Sequence, residues 1–265
     1  MRIVSWNLNG IRAAIRKGLD IFIQELDADI WLFQEVRALP EQLPKDWSPP
    51  SDMQVEWHPA EKKGYSGVAT WGREEFTTVS TGMGRGDDPD DLEGRILVTQ
   101  HGGFRCINTY LPSGSSKIER QLYKERWMEN WAEWLKPELA SEGPVIIAGD
   151  LNIAHEEIDI WNARSNMMSS GFLPQEREWF SHLLGNGWHD LCREHWGPVQ
   201  GPYSWWSNRG RAREDNKGWR IDYILGNDAA KALFKDARIV RAGGLQVSDH
   251  APVVVDFDIE SNSTS

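Results

Sequence analysis

One recurring feature constrains the fold more than any other: short apolar, β-branched runs that stop on a polar residue. "RIVSWNL", "DIWLFQEV", "MQVEWH", "YSGVATW", "RILVTQ", "FRCINTYL", "PVIIAGDL", "WRIDYIL" and "HAPVVVDFDI" each have the length and residue types of a strand. Turn-formers bound them at Gly82–Gly86, Gly102–Gly103, Gly143–Pro144 and Gly243–Gly244. "RILVTQHGGFRCINTYL" predicts a hairpin turning at Gly102–Gly103.

Helical periodicity is confined to a few segments. In 11–26, Ile11, Ile15, Leu19, Phe22, Ile23 and Leu26 form one apolar stripe. In 117–136, Tyr123, Trp127, Trp131, Trp134 and Leu135 repeat that rhythm, and Pro137 is expected to end the helix. A shorter helix is expected at 175–186. Many strands with few, one-sided helices predict an α+β domain, two packed sheets with helices outside. Residues 1–259 are expected to form that single domain, and 260–265 a polar tail.

Composition narrows the function classes. No apolar stretch approaches the length of a membrane span. "MRIVSWNLNG" begins like a strand and has no signal-peptide apolar core, so a cytoplasmic setting is expected. Cys106 and Cys192 fit two packed free thiols in a reducing compartment. A net charge of -11 taken alone argues against nucleic acid as a partner. Net charge, however, does not describe any one face of the surface, and a site for a divalent cation must concentrate carboxylates. Most of the 15 Trp are expected to fill core, the helical Trp stripe included.

The polar residues that end the strand-like runs carry the chemistry. Asn7 and Asn9 end the first, Glu35 follows "WLFQ", and Tyr110 sits in "NTYLP". Asp150 and Asn152 end "VIIAGDLN", Asp222 lies inside "WRIDYIL", and Asp249 and His250 are expected to open the last strand. Each alone has a bland explanation as a turn, cap or solvated rim residue. Asp222 resists it, because a carboxylate flanked by Ile221 and Tyr223 is partly buried and needs a partner. Together the set makes sense. Glu35 with Asp249 or Asp150 is a hard, oxygen-rich site suited to Mg²⁺ or Mn²⁺ and unlike the Cys/His clusters that zinc favours. His250 beside Asp222 is a pair that fixes an imidazole tautomer and raises its basicity. Asn152, Asn7 and Tyr110 can donate to oxygen. Phosphodiester hydrolysis needs all of these.

In order along the chain, "ISWNxNGxR", "LxFQE", "KGYSGVA", "EGR", "NxYxP", "GDLNIAHEEID", "GFLPxER", "GWRIDY" and "SDHAP" resemble the exonuclease III family, Mg²⁺-dependent abasic-site endonucleases and 3′-repair enzymes within the endonuclease/exonuclease/phosphatase superfamily. Quoted as they stand here, the motifs read "VSWNLNGIR", "LFQE", "KGYSGVA", "EGR", "NTYLP", "GDLNIAHEEID", "GFLPQER", "GWRIDY" and "SDHAP", and the resemblance runs from residue 2 to about 257. The resemblance implies a four-layer α/β/β/α sandwich, two packed mixed β-sheets flanked by helices. It implies Glu35 as principal metal ligand, with Asn9 and Asp249 near the ion and Asp150 and Asn152 able to reach it. It implies that Asp150 activates water or assists the leaving group, that Asn7, Asn152 and Tyr110 bind the scissile phosphate, and that His250, held by Asp222, orients or polarises it. Four positions depart from the family: Asn9 where many relatives carry Asp, Ser113 and Ser169 where many carry Asn, and Arg37 in place of a frequent Lys.

Those residues are shared by phosphatases and lipid phosphodiesterases of the superfamily, so other segments must choose the substrate. "SWWSNRGRAREDNKGWRID", 204–222, interleaves Arg209, Arg211, Arg213, Lys217 and Arg220 with Trp205, Trp206 and Trp219. Cations that grip backbone beside aromatics that meet a sugar are the logic of nucleic-acid binding. The resemblance implies that Trp205, Trp219 and Ile221 line a small apolar pocket for a base-free deoxyribose. It also implies that Arg209 inserts into the duplex gap, and that Lys63, Tyr65 and Asn166 contact phosphates. The expected partner is duplex DNA with abasic sites or blocked 3′ ends, met by a monomer in the cytoplasm with the nucleoid. The acidic stretch 85–95 is expected to be a solvated hairpin turned away from DNA. A phosphatase acting on a small or lipid phosphoester would not need the basic-aromatic segment. A non-catalytic DNA-binding relative would not need Glu35, Asp150 and His250.

Overall fold

The period of two along each strand explains both the layers and the position of the site. The computed structural model describes residues 1–84 and 92–259. Its strands, in chain order, are β1 (Arg2–Asn7), β2 (Ile30–Gln34), β3 (Gln54–His58), β4 (Val68–Gly72), β5 (Thr77–Thr81), β6 (Ile96–His101), β7 (Phe104–Tyr110), β8 (Val145–Asp150), β9 (His189–Asp190), β10 (Asp222–Gly226), β11 (Phe234–Ile239) and β12 (Val253–Phe257). They form two six-stranded sheets, ordered β11-β12-β1-β2-β4-β3 and β5-β6-β7-β8-β10-β9. Both are mixed: β1 runs parallel to β2 and β7 parallel to β8, and the other pairs are antiparallel. All nine apolar runs are strands, and β6 turns into β7 with His101 opposite Phe104.

Alternate residues of each strand enter different cores. Ile3, Ile30, Leu32, Cys106, Ile146, Ala148, Ile224, Val253 and Val255 pack between the sheets. Val4, Trp6, Trp31 and Phe33 face the other way, against α1 (Ile11–Arg16) and α2 (Leu19–Leu26). Ile107, Val145, Ile147, Tyr223 and Leu225 face α3 (Ile118–Trp134), which is followed by α4 (Lys136–Leu139), the short turn α5 (Ala163–Asn166) and α6 (Pro174–Gly185). The result is the expected four-layer sandwich. Cys106 and Cys192 are free thiols buried in the middle layer. Trp127 and Trp131 of the expected Trp stripe are fully buried core.

Several expectations need correction. The helix expected over 11–26 is two helices, because Gly18 takes φ 97 and turns the chain while one buried stripe continues from Ile11 to Leu26. Pro137 does not end the helical region; it occupies the first turn of α4, where its missing N–H is harmless. Asp249 and His250 precede the last strand. Pro252 cannot donate to a ladder, pairing with β1 begins at Val253, and the 249–251 segment bonds to Ser204 and Trp206 instead. β5 and β11 escaped the sequence reading because they are edge strands carrying polar residues, as edges do to avoid pairing with other chains. Most of the acidic stretch 85–95 lies outside the described residues. Its end does not fit a solvated hairpin, since Arg95 is buried and bonded to Glu93 and to the Tyr110 carbonyl.

The strand that carries Asp222 is anchored by a buried ion cluster. The Arg220 guanidinium bonds Asp159 at 2.6 Å and Asp190 at 2.7 Å, with all three side chains essentially inaccessible. Arg220→Ala leaves Asp190 buried without its cation and Asp159 with Arg193 alone, at 2.5 Å. It is expected to destabilise the fold by about 3–5 kcal/mol in a denaturant melt, and a loss below about 1 kcal/mol would contradict that role.

Candidate active site

At one edge of the sandwich the middle layer changes from hydrocarbon to polar atoms. Strand parity drives the change. Ser5 and Asn7 continue the face begun by Ile3, Gln34 that of Leu32, Asn108 and Tyr110 that of Cys106, Asp150 that of Ala148, and Asp222 that of Ile224. A first polar tier consists of buried amides and a hydroxyl: Gln34 Nε2 donates to Asn108 Oδ1 at 2.8 Å and to Ser5 Oγ at 3.2 Å. Above it, Tyr110, Asp150 and Asp222 stand side by side on β7, β8 and β10, in register. β8 can run this close to β7 only with glycine at 149, since a Cβ there would lie 1.7 Å from the Thr109 carbonyl oxygen.

Asn7 connects the two sheets. Its Nδ2 donates to Glu35 Oε1 at 3.1 Å and to Asp150 Oδ2 at 2.9 Å, so the two carboxylates face each other across one amide nitrogen. Tyr110 donates its hydroxyl to Glu35 Oε1 at 2.5 Å, and the Arg37 guanidinium closes on Glu35 Oε2. Asp150 accepts the Asn152 N–H at 2.8 Å. Asn9 Nδ2 donates to Asp249 Oδ1 at 2.9 Å. Asn9, Glu35, Arg37 and Asn152 all adopt left-handed backbone with φ near 50. Such conformations cost energy and persist only where the surroundings enforce them.

His250 stands over this group. Its Nδ1 lies 2.9 Å from Asp222 Oδ2, and its Nε2 points toward Asp150 Oδ2 at 3.9 Å. Burial alone pushes the imidazole down, but Asp222 and then Asp150 outweigh it and raise the pKa to about 10. Burial pushes Asp150 up, against the opposing His250 charge, to about 7. Asp249 ends below the usual carboxylate range, because the His250 charge and the Asn9 amide together outweigh burial. Burial and then the Glu35 charge hold the Tyr110 phenol well above its ordinary value.

These groups open into a cleft of about 560 Å³. Asn9, Glu35, Tyr110, Asp150, Asn152, Asp249 and His250 form its polar floor, and Trp205, Trp219 and Ile221 one apolar wall. Asn7 and Asp222 lie just beneath the floor, buried. Trp205 and Trp219 meet edge to face, 5.9 Å between centroids, over Ile160, Phe172 and Ala154. Ser113–Gly114–Ser115 and Ser169–Ser170 complete the rim. Ligand atoms of Asp150, Asp222 and His250 lie within 4.8 Å of one another, so an acidic and imidazole cluster able to hold a metal ion is present. Since His250 already has Asp222 on Nδ1, the oxygen donors Glu35, Asp150 and Asp249 are the better-matched ligands. The donor set is hard and the buried thiols lie in the core, away from it, which fits an oxygen-seeking divalent cation.

Other expected site residues lie apart from this cleft. Lys63 and Tyr65 line a separate hollow of about 270 Å³, where the Tyr65 hydroxyl accepts from Arg95 and Arg120. Asn166 is half-buried and bonds the Asn162 carbonyl. Arg209 is exposed. Two cations of the basic segment are corrected from backbone-gripping to structural. Arg220 belongs to the buried cluster, and Arg213 donates to the Ser248 carbonyl at 2.8 Å and to the Gly244 carbonyl, tying the segment to the Asp249–His250 turn.

Several residues outside the strand-end set support the site. Ser204 Oγ accepts the N–H groups of Ile221 and Asp222 at 3.1 Å, Ser248 Oγ donates to the Asn7 carbonyl at 2.8 Å, and Trp6 Nε1 donates to the His250 carbonyl at 2.8 Å. Arg95, from "EGR", backs Tyr110 with its guanidinium 4.7 Å from the ring. Ser248 and Arg95 fall inside quoted motifs, so position in a motif was the one available signal.

A two-sheet sandwich with carboxylates and a His–Asp pair at one edge defines a class, and the chain belongs to it: the endonuclease/exonuclease/phosphatase family, whose model matches residues 4–250. Two of the relatives the chain matches are named for nuclease activity. It is 38% identical to an exodeoxyribonuclease of Bacillus subtilis over 98% of this chain and 100% of the relative. It is 34% identical to a DNA repair nuclease of Danio rerio over 96% of this chain and 81% of the relative. Among solved structures, an AP endonuclease from Archaeoglobus fulgidus superposes with a TM-score of 0.87 at 27% identity, covering 98% of this chain and 100% of that one. A Neisseria 3′ phosphatase bound to a product DNA hairpin gives 0.87 at 28% identity over the same shares. Among the described residues no helix is long and apolar enough to cross a membrane.

Proposed function

We propose that this protein is a Mg²⁺-dependent DNA-repair nuclease that cleaves the phosphodiester 5′ to an abasic sugar in duplex DNA, with 3′-phosphodiesterase and 3′→5′ exonuclease action. Residues 1–259 are its working unit, acting as a monomer in the cytoplasm with the nucleoid. One observation carries the reading: Glu35 and Asp150, bridged from beneath by Asn7, and His250, held from beneath by Asp222, share a cleft with the apolar Trp205–Trp219–Ile221 wall. Relatives named for exodeoxyribonuclease and apurinic or apyrimidinic site endonuclease support it.

Glu35, with Asn9, Asp249, Asp150 and Asn152 in reach, would hold the ion, which supplies positive charge to the scissile phosphate and its leaving oxygen. The remaining steps belong to side chains. His250, cationic through neutral pH, donates from Nε2 to a non-bridging phosphate oxygen while Asp222 holds Nδ1. Asn7, Tyr110 and Asn152 orient that phosphate. Asp150, with its proton affinity near neutrality, takes a proton from the attacking water or gives one to the leaving oxygen. An apolar wall offers a base-free sugar contact and a base no hydrogen bond. Lys63, Tyr65, Asn166 and Arg209 extend the contact along the backbone. A phosphatase for small phosphoesters would gain nothing from these outlying groups.

Incubation with a duplex carrying one synthetic abasic site is expected to give a single nick 5′ to the site with Mg²⁺ and none with EDTA; metal-independent cutting, or none at all, overturns the reading. Trp219→Ala is expected to lower kcat/KM on that duplex about 10-fold or more and leave metal affinity by calorimetry unchanged, as the loss of an apolar pocket contact should. Equal losses in both would remove Trp219 from the sugar pocket.

A further inference from the structure

Behind the cleft lies an ion pair that the chemistry above does not use. Lys124 of α3 and Glu176 of α6 are fully buried, with Nζ 2.5 Å from Oε1. A buried ion pair seldom stabilises a fold more than apolar side chains of the same volume. This one spends its remaining hydrogen bonds on the main chain of the cleft. Lys124 Nζ donates to the Asn152 carbonyl at 2.9 Å. Glu176 Oε2 accepts the N–H of Gly171 at 2.7 Å and of Leu173 at 3.0 Å. Gln121, one turn before Lys124, donates to Glu176 Oε1 at 3.0 Å and accepts from Ser170 Oγ at 2.7 Å. A Cβ on Gly114 would lie 1.9 Å from Gln121 Oε1 and 2.7 Å from Ser170 Oγ, so both serine rims rest on this amide.

The tie reaches the reacting group in one step. Asn152 holds a left-handed backbone, and its N–H and Nδ2 bond the Asp150 carboxylate at 2.8 Å and 3.3 Å. A left-handed asparagine turn costs energy, and a free carbonyl would let its peptide swing to another backbone region. The Lys124 ammonium removes that freedom.

We propose that Lys124 and Glu176 are positioning residues for the nuclease reaction, an inference that rests on the function proposed above. The pair clamps the Asn152 peptide against Asp150 and fixes the neighbouring 171–173 main chain. Neither side chain touches substrate.

The decisive variant is the charge-neutral double substitution Lys124→Met/Glu176→Gln in the full chain, which removes both charges at nearly constant volume. Its melting temperature and its affinity for abasic duplex in EDTA are expected to match the parent. Single-turnover cleavage with Mg²⁺ is expected to fall about 10- to 100-fold, the cost of a misplaced catalytic group. Parent-like cleavage at parent-like stability, or a loss of DNA affinity in step with the loss of cleavage, would overturn the inference. Should the double variant not fold, Lys124→Gln removes the bond to the Asn152 carbonyl while Glu176 keeps its bonds from Gln121, Gly171 and Leu173. A slower single turnover at unchanged duplex affinity is expected, and an unchanged rate overturns the inference. A parent chain that does not cut abasic duplex defeats the nuclease reading itself; a parent and a double variant that cut equally defeat only the clamp.

Discussion

Asp150→Asn is expected to lower single-turnover cleavage of an abasic duplex by about 10³–10⁴-fold while the protein melts at the parent temperature or above it. Both halves follow from burial. The Asp150 carboxylate is almost inaccessible, and burial raises its pKa to about 7, so near neutral pH its charge opposes folding. An amide of the same shape relieves that opposition but can neither take nor give the proton that the reaction moves. The pH dependence carries the same sign. With Asp150 acting as base, the parent rate is expected to rise with pH as Asp150, its proton affinity raised by burial, loses its proton, and to fall at higher pH where His250 loses its own. The rising limb should be absent from Asp150→Asn. A variant that keeps both its rate and that limb would take Asp150 out of the proton transfer.

His250→Ala is expected to cost about 10³-fold in the same assay, with duplex affinity in EDTA unchanged. The imidazole is fully hydrogen-bonded at Nδ1 by Asp222, so its one free donor, Nε2, is aimed into the cleft. Removing it leaves Asp222 buried without its cation, and a loss of stability should accompany the loss of rate. His250→Ala/Asp222→Asn should recover the stability and not the rate. Recovery of both would mean that the pair serves the fold and not the phosphate.

Much of the site was legible in the sequence for a reason visible in the strands. Where a run such as "PVIIAGDLN" passes from hydrocarbon to carboxylate without breaking its alternation, the residue that follows Ile146 and Ala148 on the same face must enter the middle layer or its continuation. That logic holds for Asn7, Tyr110, Asp150 and Asp222, each at the end of its strand nearest the cleft, while Glu35, Asn9, Asn152, Asp249 and His250 stood out as the polar residues just beyond the apolar runs. The misreadings share a cause as well. Arg213 and Arg220 look alike in "RAREDNKGWRID", yet one holds the carbonyls of Gly244 and Ser248 and the other lies buried between Asp159 and Asp190. A charge run shows where cations are and not what they meet.

The sequence by itself determined the period-two strands, the helical stripes and the polar residues at the strand ends, because each depends on neighbours within a few positions. The tertiary structure alone decided that Asn7 bridges Glu35 and Asp150, that Lys124 reaches the Asn152 carbonyl, and that Arg95 backs Tyr110. Those contacts join distant segments or different elements of the fold, and the pairing of a buried polar atom is set by which strands and helices the packing brings together.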